Sequence, residues 1–277
     1  MENCEYCATP AGFLKKYHNY CKEKFESGRT QILSLIKSSI SQQLPFDELE
    51  KELLPIFKSH IIKKDHAHSI LVEGWEVAVE KAFEDSILTK DEESFLTSFS
   101  ERFSLTQDEL ERNGMYSKVV KGAILRDVLE GRIPERVKIE GTIPFNFQKN
   151  EKMIWLFQSV ACYEQKTRRE YVGGYQGVSI RIAKGLYYRT GGFKGRPVER
   201  TETVHMDTGL LGVTNKHIYF AGEKKNFRIR HDKIVSFVPY SDGIGIQEDK
   251  ATAKPKSFVT GDGWFTYNLL SNVSKLQ

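Results

Sequence analysis

The sequence predicts an α+β chain of several modules: a short cysteine-rich segment, an all-helical bundle, and an antiparallel β-barrel capped by a C-terminal helix. Three observations predict it. Three of the four cysteines fall within the first 21 residues. Apolar residues then recur at helical spacing to about residue 130. Beyond about residue 140 the pattern changes to short strand-like runs separated by Gly, Asn and Asp. The expected boundaries are 1–26, 28–135 and 140–277.

The first segment reads Cys4-Glu-Tyr-Cys7, then His18-Asn-Tyr-Cys21. Two ligands separated by two residues can both face one ion, and the second pair supplies the remaining corners of a tetrahedron. The expected group is a structural zinc ion on Cys4, Cys7, His18 and Cys21, with no coordination place left open for catalysis. So short a segment needs its ion to fold. The bland alternative is three reduced cysteines in a frayed terminus, which leaves the spacing unexplained. A disulfide framework would spread its cysteines through a small chain, and Cys162 stands alone in an apolar run, read as a buried thiol.

In the second zone Ile32, Leu33, Leu35, Ile36 and Ile40 mark one helix; Leu49, Leu53, Leu54 and Phe57 mark the next. Val72, Trp75, Val79 and Phe83 continue the pattern. Thr89-Lys-Asp-Glu92 and Thr106-Gln-Asp-Glu109 are capping boxes. The last apolar stripe, Val119 to Leu129, is stopped by Gly131 and Pro134.

The third zone opens with the β-rich run 154–160. Val178-Ser-Ile-Arg-Ile182 and Leu186-Tyr-Tyr-Arg189 follow, separated by a Lys-Gly turn. Further runs lie at 209–213, 218–220, 227–230, 234–238, 244–246 and 258–259. Gly173-Gly174, Gly191-Gly192 and Gly243-Ile-Gly245 read as hairpin turns, since none leads into a phosphate-binding helix. Asp262 is the expected cap of a final helix carrying Trp264, Tyr267 and Leu270.

The run Gly209-Leu-Leu-Gly-Val-Thr-Asn-Lys-His-Ile-Tyr-Phe-Ala-Gly222, with Phe227-Arg-Ile-Arg230 after it, resembles a hairpin of GRAM and bacterial pleckstrin-homology-like domains. The resemblance implies a strongly bent seven-stranded antiparallel barrel over about 145–275, plugged at one end by the C-terminal helix. It also implies a binding module for proteins, peptides or anionic lipids. The segment Ser86-Ile-Leu-Thr-Lys-Asp-Glu-Glu93 together with Leu-Glu-Gly131 is similar to TerB-like helical bundles, and the N-terminal cysteines look like a short zinc ribbon with His18 in place of a cysteine.

Charge divides the chain. Residues 1–140 carry 20 Lys and Arg against 25 Asp and Glu, while residues 141–277 carry 21 against 12. The basic residues fall into three groups: Lys166, Arg168 and Arg169; Arg189, Lys194, Arg196 and Arg200; and Lys224, Lys225, Arg228 and Arg230. Arg228 and Arg230 are expected on the outer side of a strand whose Phe227 and Ile229 face the core. Such rows suit an acidic protein or peptide, an anionic lipid surface or a nucleic acid. The plain alternative is a solvated strand face. His60, His66 and His68 read as surface histidines, because positions two apart leave a helix on different faces. His205 and His217 lack a neighbouring nucleophile signature, and Asp242 and Asp262 read as turn and cap residues. The polar N-terminus and the lack of any run near ~20 apolar residues point to a cytoplasmic protein without a transmembrane segment. The expected function is that of a non-enzymatic adaptor with a protein partner.

Overall fold

The computed structural model describes the chain except residues 1, 14, 86, 138–140, 184, 185, 275 and 277, and over 167–200 it describes the backbone alone. The chain divides into two compact units, Met1–Glu130 and Gly131–Gln277.

Among its described residues the first unit holds six helices: α1 (Asn19–Gln42), α2 (Phe46–Ser59), α3 (Lys64–Ala82), α4 (Lys90–Arg102), α5 (Gln107–Glu111) and α6 (Met115–Leu129). Both capping boxes form. Thr89 Oγ1 accepts from the Glu92 N–H while Glu92 accepts from the Thr89 N–H, and Thr106 and Glu109 repeat the arrangement. α6 ends beside Gly131, which takes φ +76°, the left-handed stop that glycine adopts without strain.

The apolar stripes meet in one core, with Ile32, Ile36, Leu49, Leu53, Trp75, Val79, Leu96 and Phe99 buried. Each large side chain so buried contributes roughly 1.5–3 kcal/mol. Trp75 satisfies its indole by donating to the Leu96 carbonyl at 2.9 Å, far from water. α1 and α3 approach closely because Gly74 carries no side chain; a Cβ there would lie 2.3 Å from Ile36 Cδ1. The Cys/His segment leads directly into α1, the longest helix of the bundle.

The second unit is a seven-stranded antiparallel sheet in the order β4-β3-β2-β1-β7-β6-β5, curled into a half-barrel. Its strands are β1 (Met153–Ala183), β2 (Leu186–Thr214), β3 (His217–Gly222), β4 (Asn226–Arg230), β5 (Ile234–Pro239), β6 (Gly243–Glu248) and β7 (Lys256–Val259), followed by α7 (Gly263–Val273). The curl is visible in one contact. Phe227 of β4 and Phe258 of β7 lie 6.3 Å apart, ring to ring, although three strands separate β4 from β7 in the sheet order. Phe265 of α7 packs against Trp155 and Phe157 at 5.1 and 5.9 Å, and Asp262 caps the helix by accepting from the Phe265 N–H at 3.0 Å.

The expected separate strands at 178–182 and 186–189 belong instead to one long hairpin. β1 pairs with β2 along its length, from Met153 opposite Thr214 to Ala183 opposite Leu186. Only Ala161–Glu164 of β1 also pair with β7, and only Gly209–Val213 of β2 also pair with β3. Gly173-Gly174 and Gly191-Gly192 are therefore ladder positions and not turns: Gly173 faces Gly195 and Gly177 faces Gly191. Glycine tolerates a turn but does not create one, and the strand pairing on both sides decided its conformation here. Gly243 likewise opens β6, where a Cβ would meet the Phe258 carbonyl oxygen at 2.0 Å.

Candidate metal centre and basic surface

Cys4 to Cys7 form a tight turn. The Ala8 N–H donates to the Cys4 carbonyl at 2.8 Å and the Cys4 N–H to the Thr9 carbonyl at 2.7 Å. Ala8 follows with φ +62°, a left-handed conformation that costs a non-glycine residue roughly 1–2 kcal/mol. His18 caps α1 and Cys21 sits in its first turn, so the helix start delivers the second pair of side chains. The ligand atoms of Cys4, Cys7, His18 and Cys21 all lie within 4.8 Å of one another. This is the one cluster of three or more Cys, His or acidic groups able to hold a metal ion among the described residues.

Geometry also sets the histidine's tautomer. His18 Nε2 lies 3.1 Å from the Pro10 carbonyl oxygen, which can only accept, so the proton sits on Nε2. Nδ1 then faces the sulfurs, 3.5 Å from Cys7 Sγ and 3.7 Å from Cys21 Sγ. A ring nitrogen anchored to a carbonyl in this way is the usual support of a metal-bound imidazole. Hydrogen bonds from the Thr9 hydroxyl and N–H pull the Cys7 thiol down to about 6. Burial pushes Cys4 up, but N–H groups of Cys7, His18 and Tyr6 outweigh it and leave the thiol below its ordinary value. Cys21 is pushed up to about 11 by burial and by the neighbouring sulfurs. His18 is raised by its contacts with Cys7 and Cys4. The turn thus favours the anions of Cys4 and Cys7, and the four residues could hold a metal ion.

An aromatic cover joins this centre to the bundle. Tyr6 packs edge-on to Tyr17 at 6.1 Å and against Phe25 of α1, and His66 of α3 lies 5.9 Å from Tyr6. His66 departs here from the surface reading: its Nδ1 is buried without a hydrogen-bond partner. His66 stands on the face of α3 against which Tyr6 of the N-terminal turn and Phe25 of α1 pack. His68 bonds Glu109 at 2.9 Å, and His60 bonds Ser59.

In the second unit the third basic group is fully described. Arg228 and Arg230 are exposed on β4, Ile229 is buried and Phe227 half-buried, while Lys224 and Lys225 sit exposed in the preceding turn. Arg230 spends its fork on Asp232, at 2.9 and 2.7 Å. Lys166 lies on β1 opposite Glu202. The side chains of Arg168, Arg169, Arg189, Lys194, Arg196 and Arg200 lie outside the described residues; their backbone belongs to the outer part of the β1–β2 hairpin.

Two groupings escaped the sequence reading. The first is Glu151, whose side chain is fully buried. It accepts from Thr214 Oγ1 at 2.5 Å, His217 Nδ1 at 2.9 Å, the Gln148 N–H at 2.7 Å and the Tyr219 hydroxyl at 2.9 Å. Burial pushes its carboxyl up, yet these four donors outweigh burial and hold it below the ordinary value. Thr214 in turn accepts from the His217 N–H at 2.9 Å, locking the β2–β3 turn. His217 and Tyr219 alternate on one side of β3, a visible signal, but their acceptor is far away in sequence. His231 donates from Nε2 to the Thr214 carbonyl at 2.8 Å, and burial lowers its pKa. The second grouping lies beside β4, where Lys250, Lys254 and Lys256 join Arg228, Glu164 and Glu248 around a groove of ≈ 420 Å³.

Cys162 is buried and its thiol is pushed up to about 11 by that burial. No helix among the described residues is long and apolar enough to cross a membrane. No family model, curated protein or solved structure matches this chain.

Proposed function

We propose that this chain is a binding protein whose N-terminal module is held by a structural zinc ion and whose half-barrel takes an acidic partner. Zinc bonds of about 2.3 Å to sulfur and about 2.0–2.1 Å to nitrogen set a tetrahedral S···N separation of about 3.6 Å. The 3.5 and 3.7 Å separations of His18 Nδ1 from Cys7 and Cys21 support that ion. Four protein ligands leave it no vacant place for substrate, which makes its role structural.

The observation that carries the binding role is the basic outer face of β4. Arg228 and Arg230 stand exposed there, with Lys224 and Lys225 beside them, over a strand whose inner residues are spent on the core. The resemblance to pleckstrin-homology-like and GRAM modules, and of the bundle to TerB-like domains, is part of the same reading. Glu151 and His217, an acid–base pair, are buried and committed to the β2–β3 turn.

The test compares three polyanions on the full chain at low and moderate salt: polyglutamate, single-stranded DNA, and vesicles containing phosphatidylserine. The expected result is salt-sensitive binding of polyglutamate with the tightest affinity of the three. DNA binding tighter by about tenfold or more would replace the reading with nucleic-acid recognition. Preference for the vesicles would replace it with membrane recruitment.

A further inference from the structure

The sheet has two edges, β4 and β5. β4 pairs with β3 alone, from His217 opposite Arg230 to Ala221 opposite Asn226. Just outside that pairing the Gly222 N–H donates to the Lys225 carbonyl at 2.9 Å, and the His231 N–H donates to the Lys216 carbonyl at 3.1 Å. Antiparallel ladders alternate bonded and non-bonded pairs. Counting inward from both ends gives the same phase: Phe227 and Ile229 bond β3, while Asn226, Arg228 and Arg230 turn their N–H and C=O groups to the free edge.

That edge borders the groove lined by Arg228, Lys250, Lys254, Lys256, Glu164 and Glu248. Lys256 pairs with Glu248 at 2.9 Å and Lys254 with Glu164 at 3.9 Å. Arg228 contacts the neutral Tyr219 hydroxyl, and among the described residues neither Arg228 nor Lys250 makes an ion pair. The groove therefore holds two surplus positive charges next to a row of free backbone groups. Its volume falls within the ~300–1,000 Å³ range of ligand sites.

We propose that an extended acidic segment of a partner protein adds to β4 as a further strand, lying in this groove. The inference rests on the acidic-partner reading and names its site and mode. An added strand would present alternate side chains to the two faces of β4. Those beside Arg228 would be Glu or Asp; those beside Phe227 and Ile229 would be apolar, with Lys250 at the groove wall to meet the segment's remaining acidic groups. Phosphate backbones fit less well, because they can accept from the edge N–H groups but offer no donor to the edge C=O groups, and they would meet Glu164 and Glu248.

The probe is a fluorescein-labelled peptide of alternating Glu and Val, titrated by anisotropy against the full chain. A second peptide is N-methylated at every other residue in the phase that faces β4, and a third in the opposite phase. Expected results are binding of the parent and the third peptide, loss of the second, and weakening by about tenfold with Lys250→Glu or Arg228→Glu. Lys250→Glu changes an exposed loop side chain, so its folding is checked by an unchanged melting temperature. Equal binding of all three peptides would mean that charge alone holds them; the strand-addition inference then falls while the acidic-partner reading stands. The inference falls in the same way if polyglutamate binds but the parent peptide does not. Absence of both would remove the acidic-partner reading itself. Affinity unchanged in both charge variants places any binding elsewhere and overturns the groove assignment.

Discussion

Tyr6, between the first two cysteines, lies against Phe25 in α1 with ring centroids 4.8 Å apart. Phe25 in turn meets His66 of α3 at 5.2 Å. The turn that carries two of the four ligands and two helices of the bundle therefore share one small core. Loss of a metal ion held by these four residues would be felt beyond them.

Elemental analysis of the purified chain should give about one zinc per molecule. Treatment with a strong chelator should strip amide protection from the first turns of α1 and α3 in hydrogen-exchange experiments and leave β3 and β6 protected. Cys21→Ser should weaken zinc by at least about tenfold. Unchanged exchange in α1 after complete removal of metal would show that the ion is incidental.

Ala8→Gly should stabilise the metal-loaded protein by about 0.5–1 kcal/mol. Glycine removes the cost of the positive φ, and part of that gain is lost to its freer unfolded chain. Urea titrations of the loaded proteins read the difference directly. A loss of stability would mean that the methyl group packs usefully in the turn.

Glu151→Ala should cost about 3 kcal/mol, because it leaves Thr214, His217, Tyr219 and the Gln148 N–H without their buried acceptor. The pH dependence has a definite sign. Glu151 is held below its ordinary 4.5, so its contribution is full above that pH and is lost as pH falls through the folded value. His231 is held below its ordinary 6.5 by burial, so the unfolded chain binds that proton first and stability already declines below about pH 6.5. Urea unfolding between pH 7 and pH 4 should show stability falling throughout. A flat profile would contradict both assignments.

Phe258→Ala should cost about 3–5 kcal/mol, since Phe258 is fully buried and lies 6.0 Å from Phe220 and 6.3 Å from Phe227. Removing it opens a cavity where three strands converge across the curl. Thermal unfolding measures it, and a cost below about 1 kcal/mol would mean that the half-barrel closes on the space.

Local chemistry was legible in the chain. Thr89 and Glu92, or Asp262 and Phe265, act across three residues, so their side chains and backbone partners are visible in one short window. The same holds within each pair of candidate metal ligands, where two intervening residues are enough to shape the turn or the helix start. The hairpin glycines misled for the opposite reason: Gly173 and Gly195 are ladder neighbours, and no local rule says whether glycine bends or pairs.

By itself the sequence determined the helical half, the change to strands, the terminal helix and its cap, and the Cys4, Cys7, His18 and Cys21 grouping that could hold a metal ion, because each depends on residues within a few turns of one another. Only the tertiary structure decided that Glu151 meets His217 and Tyr219, that Tyr6 is packed against Phe25 and His66, and that the β4 edge faces Lys250 and Lys254 across a groove. These contacts arise from the curl of the sheet and the docking of helices, which sum many weak packing preferences over long stretches of chain and leave no local mark on the residues they bring together.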